Sequence, residues 1–242
     1  MTPPTESQPR PSDFAMFDSL RSAGTLRTFE SSSYLFRQGE SGDSILLIDS
    51  GHVKIVADGA DGATALLGVR GPGELVGEFA AVTSRSRSAS VIALEPVRGY
   101  TLDSGSFLRL IGENQTRMLG LIRTVIDKLG ESDRWRVEFG SLTVRRRIAK
   151  MLVKLADETY RDESGVYVIP LSQKDLAAAV GSSREACAKA LYGFRSAQLV
   201  ATGLRGVRVL DLERLRQIAE SPERPATARR GANRPAPRAD PE

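Results

Sequence analysis

At Asn114 the sequence changes its period. Upstream, from Leu26 to about Val97, short apolar runs (SILLIDS, HVKIVA, ATALLGVR) alternate with glycine-containing turns (QGESGD, ADGADG, GPGE) that recur roughly every 8 to 12 residues. Val53-Lys54-Ile55-Val56 partly alternates apolar with polar, and the spacing predicts a small antiparallel sandwich or barrel. Downstream, from Asn114 to about Glu138, proline is absent, and Met118, Ile122, Val125, Leu129, Ser132, Arg136 and Phe139 follow steps of four and three. That is a long helix with a seam of coiled-coil type, apolar as far as Leu129 and polar beyond it. Such a seam either lies on its own β-domain or pairs with a second copy of the chain, and both readings stand at this point.

A second helical pattern, TVRRRIAKMLVKLADE, and a strand, GVYVIPL, lead into LSQKDLAAAVGSSREACAKALYGFRSAQLV. Ser172 with Asp175 and Ser182 with Glu185 each fit a capping box, which places helix starts at residues 173 and 183 with a tight glycine turn between them. Two short helices so joined make a helix-turn-helix. On the second helix Ser183, Arg184 and Lys189 share an exposed face, Glu185 is spaced to reach Lys189, and Cys187, Ala190, Leu191 and Phe194 supply the buried side. Arginine or lysine donates to guanine and glutamate accepts from cytosine, so this face suits G·C pairs. The stretch LVATGLRGVRVLDL then reads as a hairpin wing that offers Arg205 and Arg208 to phosphates.

Charge follows the same division. Residues 14–113 hold 9 Lys/Arg against 12 Asp/Glu, net −3, whereas residues 142–217 hold 14 against 8, net +6. The basic half suits a polyanion. The chain has one histidine, His52, and one cysteine, Cys187, which disfavours metal clusters, serine–histidine chemistry and an intrachain disulfide. Beneath a recognition helix, Cys187 reads as a small buried hydrophobe. No apolar run approaches the ~18 residues of a membrane helix, and the N-terminus lacks a signal-peptide pattern, so a cytoplasmic, non-enzymatic protein is expected. The expected organisation is a disordered tail (1–13), a β-domain (14–113), a long helix (114–141), a winged helix-turn-helix (142–217) and a Pro/Arg-rich disordered tail (218–242).

The order of β-domain, long helix and winged helix-turn-helix, with LSQKDLAAAVGSSREACAKAL as its recognition segment, resembles the CRP/FNR (catabolite activator) superfamily. The resemblance implies an α+β fold: a jelly-roll cyclic-nucleotide-binding domain, a dimerisation helix and a DNA-binding winged helix-turn-helix. It also implies a homodimer on double-stranded DNA at an inverted TGTGA-like repeat, with RNA polymerase as a further partner. The family's Arg-Glu-x-x-x-Arg core is matched by Arg184, Glu185 and Lys189. The lysine departs from the pattern and lacks the bidentate fork.

The stretch GEFAAVTSRSRSAS is similar to the phosphate-binding cassette of cyclic-nucleotide-binding domains, matched at Gly77, Glu78, Phe79, Ala80, Arg87, Ser88 and Ala89. The chemistry suits a ligand with one phosphodiester charge and a free ribose 2′-OH. Arg87 would pair with the phosphate, Ser88 and amides near Glu78 would donate to it, and Glu78 would accept from the hydroxyl. A loop salt bridge between Glu78 and Arg87 is the plain structural alternative. The family's adenine-facing positions fall on Ser132 and Asp133. A carboxylate there accepts from the adenine amino group or bridges two donors of guanine, so cAMP is the expected ligand with cGMP open. Haem and iron–sulfur sensing would need His or Cys residues that the chain lacks. A constitutive DNA binder and a regulatory module of an enzyme are the rival functions.

Overall fold

The computed structural model describes residues 11–59, 62, 64–158, 166–203 and 206–221. Helix α1 (Pro11–Ala23) leads into strands β1 (Thr25–Phe29), β2 (Tyr34–Phe36), β3 (Ser44–Ser50), β4 (Val53–Asp58), β5 (Thr64–Arg70) and β6 (Leu75–Val76). A short helix, α2 (Glu78–Thr83), precedes β7 (Ser90–Ala93) and β8 (Val97–Asp103). These strands form two antiparallel sheets, ordered β1-β8-β3-β6 and β2-β7-β4-β5, which is a jelly-roll sandwich. Helix α1 begins at Pro11, inside the stretch expected to be tail, because proline is well placed in a first helical turn and Met16 and Leu20 are buried behind it. The rest of that expected tail, residues 1–10, lies outside the described residues.

Why SILLIDS is apolar without alternation is plain from its place. β3 is buried on both faces. Leu46 and Ile48 pack between the sheets with Val53, Val76, Val91 and Val97, while Ile45 and Leu47 turn outward beneath Met16, Leu20, Phe107 and Ile111 of the covering helices. Burying an aliphatic side chain of this size is worth about 1.5–3 kcal/mol. Helix α3 (Ser104–Gly112) completes that cover.

Helix α4 (Gln115–Ser141) starts sharply because the Asn114 Oδ1 accepts from the amides of Thr116 and Arg117, at 2.8 and 3.2 Å. Its Leu121 is buried in the cluster with α1 and α3. The heptad seam is turned elsewhere: exposure rises along it from 42% at Met118 to 60% at Leu129. The helix therefore uses a different face for its own β-domain and leaves the seam open. The side chains of Arg136 and Phe139, farther along the seam, lie outside the described residues.

The C-terminal unit comprises α5 (Val144–Glu158), β9 (Tyr167–Ile169), α6 (Gln173–Ala179), α7 (Arg184–Ser196), β10 (Val200–Gly203), β11 (Gly206–Val209) and α8 (Leu212–Glu220). β11 pairs with both β10 and β9 to make the wing sheet. Helix α8 runs past residue 217 into the expected tail, since Leu215 and Ala219 are buried and Arg146 donates to the Ala219 carbonyl at 3.1 Å. Residues 222–242 lie outside the described residues. No helix among the described residues is long and apolar enough to cross a membrane.

The two units touch. Val56 and Leu66, on the outer face of the second sheet, join one apolar cluster with Leu176, Ala177 and the rest of the C-terminal core. Beside that contact Lys54 Nζ on β4 meets Asp175 Oδ1 on α6 at 2.7 Å.

Candidate functional site

The cassette is built around one arginine. Arg87 is only 5% exposed, although it carries a charge. Its Nη1 donates to the Gly77 carbonyl at 3.1 Å, its Nη2 donates to the Ser44 carbonyl at 2.7 Å and to Ser44 Oγ at 3.3 Å, and the guanidinium lies 3.9 Å over the Phe36 ring. Burial pulls its pKa below the ordinary arginine value, opposed by the charges of Asp43, Glu40 and Glu78. A guanidinium has five N–H donors, more than these three bonds consume, so it retains donors for an anion. The backbone is tied as well: the Arg87 amide donates to the Glu40 carbonyl and the Gly39 amide donates to that of Arg87.

Gly77 is required twice over. Its φ is +88°, and a Cβ there would come within 2.7 Å of Arg87 Nη1 and 2.9 Å of Phe36. The turn it makes starts α2 without any side-chain cap. Ala80 is buried, and Ala89 is buried where the chain enters β7, whereas Phe79 and Ser88 are exposed.

Glu78 does not pair with Arg87. Its Oε1 accepts from Lys128 Nζ at 2.8 Å, and the same ammonium donates to the Leu75 carbonyl at 2.9 Å. Lys128 belongs to α4, so this ion pair fastens the cassette to the long helix. Lys128 was not among the residues the sequence singled out: it stands one turn before Ser132, but nothing local to α4 announces a partner 50 residues earlier. Ser132 and Asp133 are exposed. The structure thus gathers Gly77, Glu78, Ala80 and Arg87 with Lys128, and leaves Ser132 and Asp133 facing solvent.

In the helix-turn-helix, the first capping box forms as expected. Ser172 Oγ accepts from the Asp175 amide at 3.1 Å and Asp175 Oδ2 accepts from the Ser172 amide at 3.3 Å. Burial alone would push the Asp175 carboxyl up, but bonds from Lys54 and Ser172 and the lysine's charge hold it below the usual range. The second box does not form. Helix α7 starts at Arg184, with Ser183 as its cap accepting from the Ala186 amide at 3.2 Å. Ser182 is consumed by the turn: its amide closes on the Ala177 carbonyl at 3.0 Å behind Gly181, whose φ is +57°. Arg147 fastens this turn by donating to the Val180 carbonyl at 2.6 Å.

Arg184, Glu185 and Lys189 are exposed together on α7, opposite buried Cys187, Ala190, Leu191 and Phe194. No Glu185–Lys189 ion pair forms among the described residues. The Glu185 carboxyl is held below its usual range by its own amide first and then by Ser183, because a carboxylate at a helix start finds free N–H groups closer than a lysine one turn away. Tyr192 extends the same face and is 65% exposed, with Arg195 stacked 5.9 Å from its ring and bonded to Thr202 Oγ1 on β10 at 2.9 Å. The helical step of three from Lys189 marks Tyr192 in the sequence, yet only its exposure separates it from a core aromatic. Arg208 is exposed on β11, and Arg205 lies outside the described residues. Burial raises the Cys187 thiol pKa, and its Sγ rests 3.6 Å from the Gln173 carbonyl, as suits a packing residue.

Comparison with known proteins matches the same two units. A cyclic nucleotide-binding domain family covers residues 26–114 and a Crp-like helix-turn-helix domain family covers residues 146–218. The chain is 29% identical over 187 residues to a CRP-like cAMP-activated global transcriptional regulator of Mycobacterium tuberculosis, covering 76% of this chain and 84% of the relative. It is 29% identical over 196 residues to the cyclic AMP receptor protein of Thermus thermophilus, covering 80% and 87%. Among solved structures, FixK2 from Bradyrhizobium japonicum superposes with a TM-score of 0.71 at 16% identity, over 83% of this chain and 99% of the other, a likeness of fold.

Proposed function

Since the chain belongs to the CRP/FNR superfamily of transcription regulators, with a cyclic-nucleotide-binding domain joined to a Crp-like helix-turn-helix, we propose that it is a cAMP-responsive homodimer that binds a palindromic, TGTGA-like DNA site. The observation that carries the reading is Arg87, a cation held almost wholly out of water between the Gly77 turn and Ser44, with donors to spare. A buried arginine serving structure alone is an expensive tie between two loops. Set to receive a phosphodiester, it repays its desolvation when the anion arrives. Ser88 and amides of the Gly77 turn add donors to the same oxygens, and Glu78 accepts from the ribose 2′-OH.

Glu78 already shares its carboxylate with Lys128. A ribose hydroxyl seated on Glu78 would therefore be felt on α4 at once, which gives ligand binding a short route to the long helix. The open seam from Met118 to Leu129 supplies an apolar face for a second copy, whose Ser132 and Asp133 would complete the base pocket. Two reading heads would then meet half-sites one turn apart, about 34 Å. Arg184, Glu185 and Lys189 face base edges, while Ser183, Arg205 and Arg208 serve the backbone, and RNA polymerase is the further partner in the cytoplasm. Relatives named for cAMP favour that ligand. Asp133 keeps cGMP as the second reading, because one carboxylate can accept both guanine donors.

The test is calorimetric titration with cAMP and with cGMP, beside Arg87→Ala. Saturable binding that is lost in the variant is the expected result, with cAMP the tighter ligand. No heat from either nucleotide with the native chain would sink the cyclic-nucleotide reading and leave a constitutive DNA binder of the same family.

A further inference from the structure

The contact between the two units is of mixed chemistry. Val56 and Leu66 make its apolar side. Next to them opens a cleft of ≈ 1240 Å³ walled by Tyr34, His52 and Ile92 on the β-domain and by Pro170, Gln173 and Thr202 on the other. Among the residues lining that cleft, Lys54 pairs with Asp175, with side chains only 19% and 15% exposed. Asp175 serves two masters. One oxygen takes the Lys54 ammonium at 2.7 Å, and the other accepts from the Ser172 amide and, at 2.7 Å, from the Ser172 hydroxyl as the capping box of α6. The first turn of the helix-turn-helix is thus fastened to a strand of the other domain by a carboxylate, beside the apolar contact of Leu176 and Ala177 with Val56 and Leu66.

This docking leaves the reading face free, since Arg184, Glu185, Lys189 and Tyr192 of α7 remain exposed. It constrains orientation without covering those four side chains. We propose that Lys54 is a positioning residue for DNA binding, holding the helix-turn-helix at a set angle on the β-domain through Asp175. The proposal rests on the DNA-binding reading above. Two heads that must land on half-sites one turn apart gain from the second contact only while their separation is held near that of the DNA. A partly buried ion pair suits the task because it is directional, and because its loss orphans a charge where water reaches it poorly.

The experiment uses the full chain and two duplexes: the inverted repeat that the native protein enriches from a randomised pool, and the same duplex with one arm scrambled. Fluorescence anisotropy compares the native chain with Lys54→Met and Lys54→Arg, and circular dichroism checks that each is folded. Lys54→Met is expected to lose about tenfold in affinity for the two-arm duplex and less than about twofold for the one-arm duplex, with Lys54→Arg close to native on both. An equal loss on both duplexes would mean that Lys54 serves stability alone. No loss on either would mean that the pair does not set the angle, and both results overturn the proposal. Failure of the native chain to enrich any inverted repeat would instead remove the DNA-binding reading beneath it.

Discussion

Two charged side chains taken partly or wholly out of water, Arg87 and Asp175, concentrate most of what distinguishes this molecule from a generic two-domain chain. Each is held by bonds that outnumber what packing needs, and each sits where one part of the protein meets another. For Asp175 the consequence is a pH dependence of definite sign. Burial by itself raises the carboxyl, yet the bonds from Lys54 and Ser172 and the lysine's charge more than reverse that, so the folded pKa lies below the unfolded value of about 3.9. A carboxyl depressed on folding stabilises the native state above its unfolded pKa, and that stabilisation drains away as pH falls through the folded one. Urea unfolding of the native chain and of Asp175→Asn between about pH 5 and 3 should therefore give a shallower loss of stability in the variant. Identical slopes would show that the pair contributes nothing to the folded state.

At the scale of elements, local chemistry decides where each helix begins. The structure gives α7 Ser183 for its cap and spends Ser182 on the turn. Ser183→Ala is accordingly expected to cost about 1 kcal/mol in chemical unfolding, whereas Ser182→Ala should stay within about 0.5 kcal/mol. The reverse order would restore the second capping box. Much of this architecture was legible in the sequence because it rests on short-range rules: turn glycines spaced along β-runs, a proline-free seam, Ser172 three residues before Asp175. The cassette was legible too, through Gly77, Glu78 and Arg87. What stayed hidden depends on contacts between distant segments. Lys128 reaches Glu78 across 50 residues and Lys54 reaches Asp175 across 121, and no local pattern marks either lysine. Ser182 and Ser183 were ambiguous for another reason: both precede an acidic residue at capping distance or nearly so, and only the geometry of the Gly181 turn chooses between them.

Taken whole, the molecule places two of its partly buried ion pairs at the junctions a signal would have to cross. Lys128–Glu78 ties the cassette to the long helix, and Lys54–Asp175 ties the β-domain to the helix-turn-helix. On the proposed function a ligand that engages Glu78 and Arg87 would act on the first junction, and on the proposed role of Lys54 the second would carry the orientation of the reading head. Coupling of this kind between binding sites usually amounts to about 1–3 kcal/mol, which is a change in affinity of roughly 5- to 150-fold. The measurement that bears most directly on the account is the affinity of the full chain for its enriched inverted-repeat duplex, titrated at one fixed salt concentration with and without saturating cAMP. The account predicts tighter binding with the nucleotide, by at least about fivefold. Equal affinities in its presence and absence would contradict it.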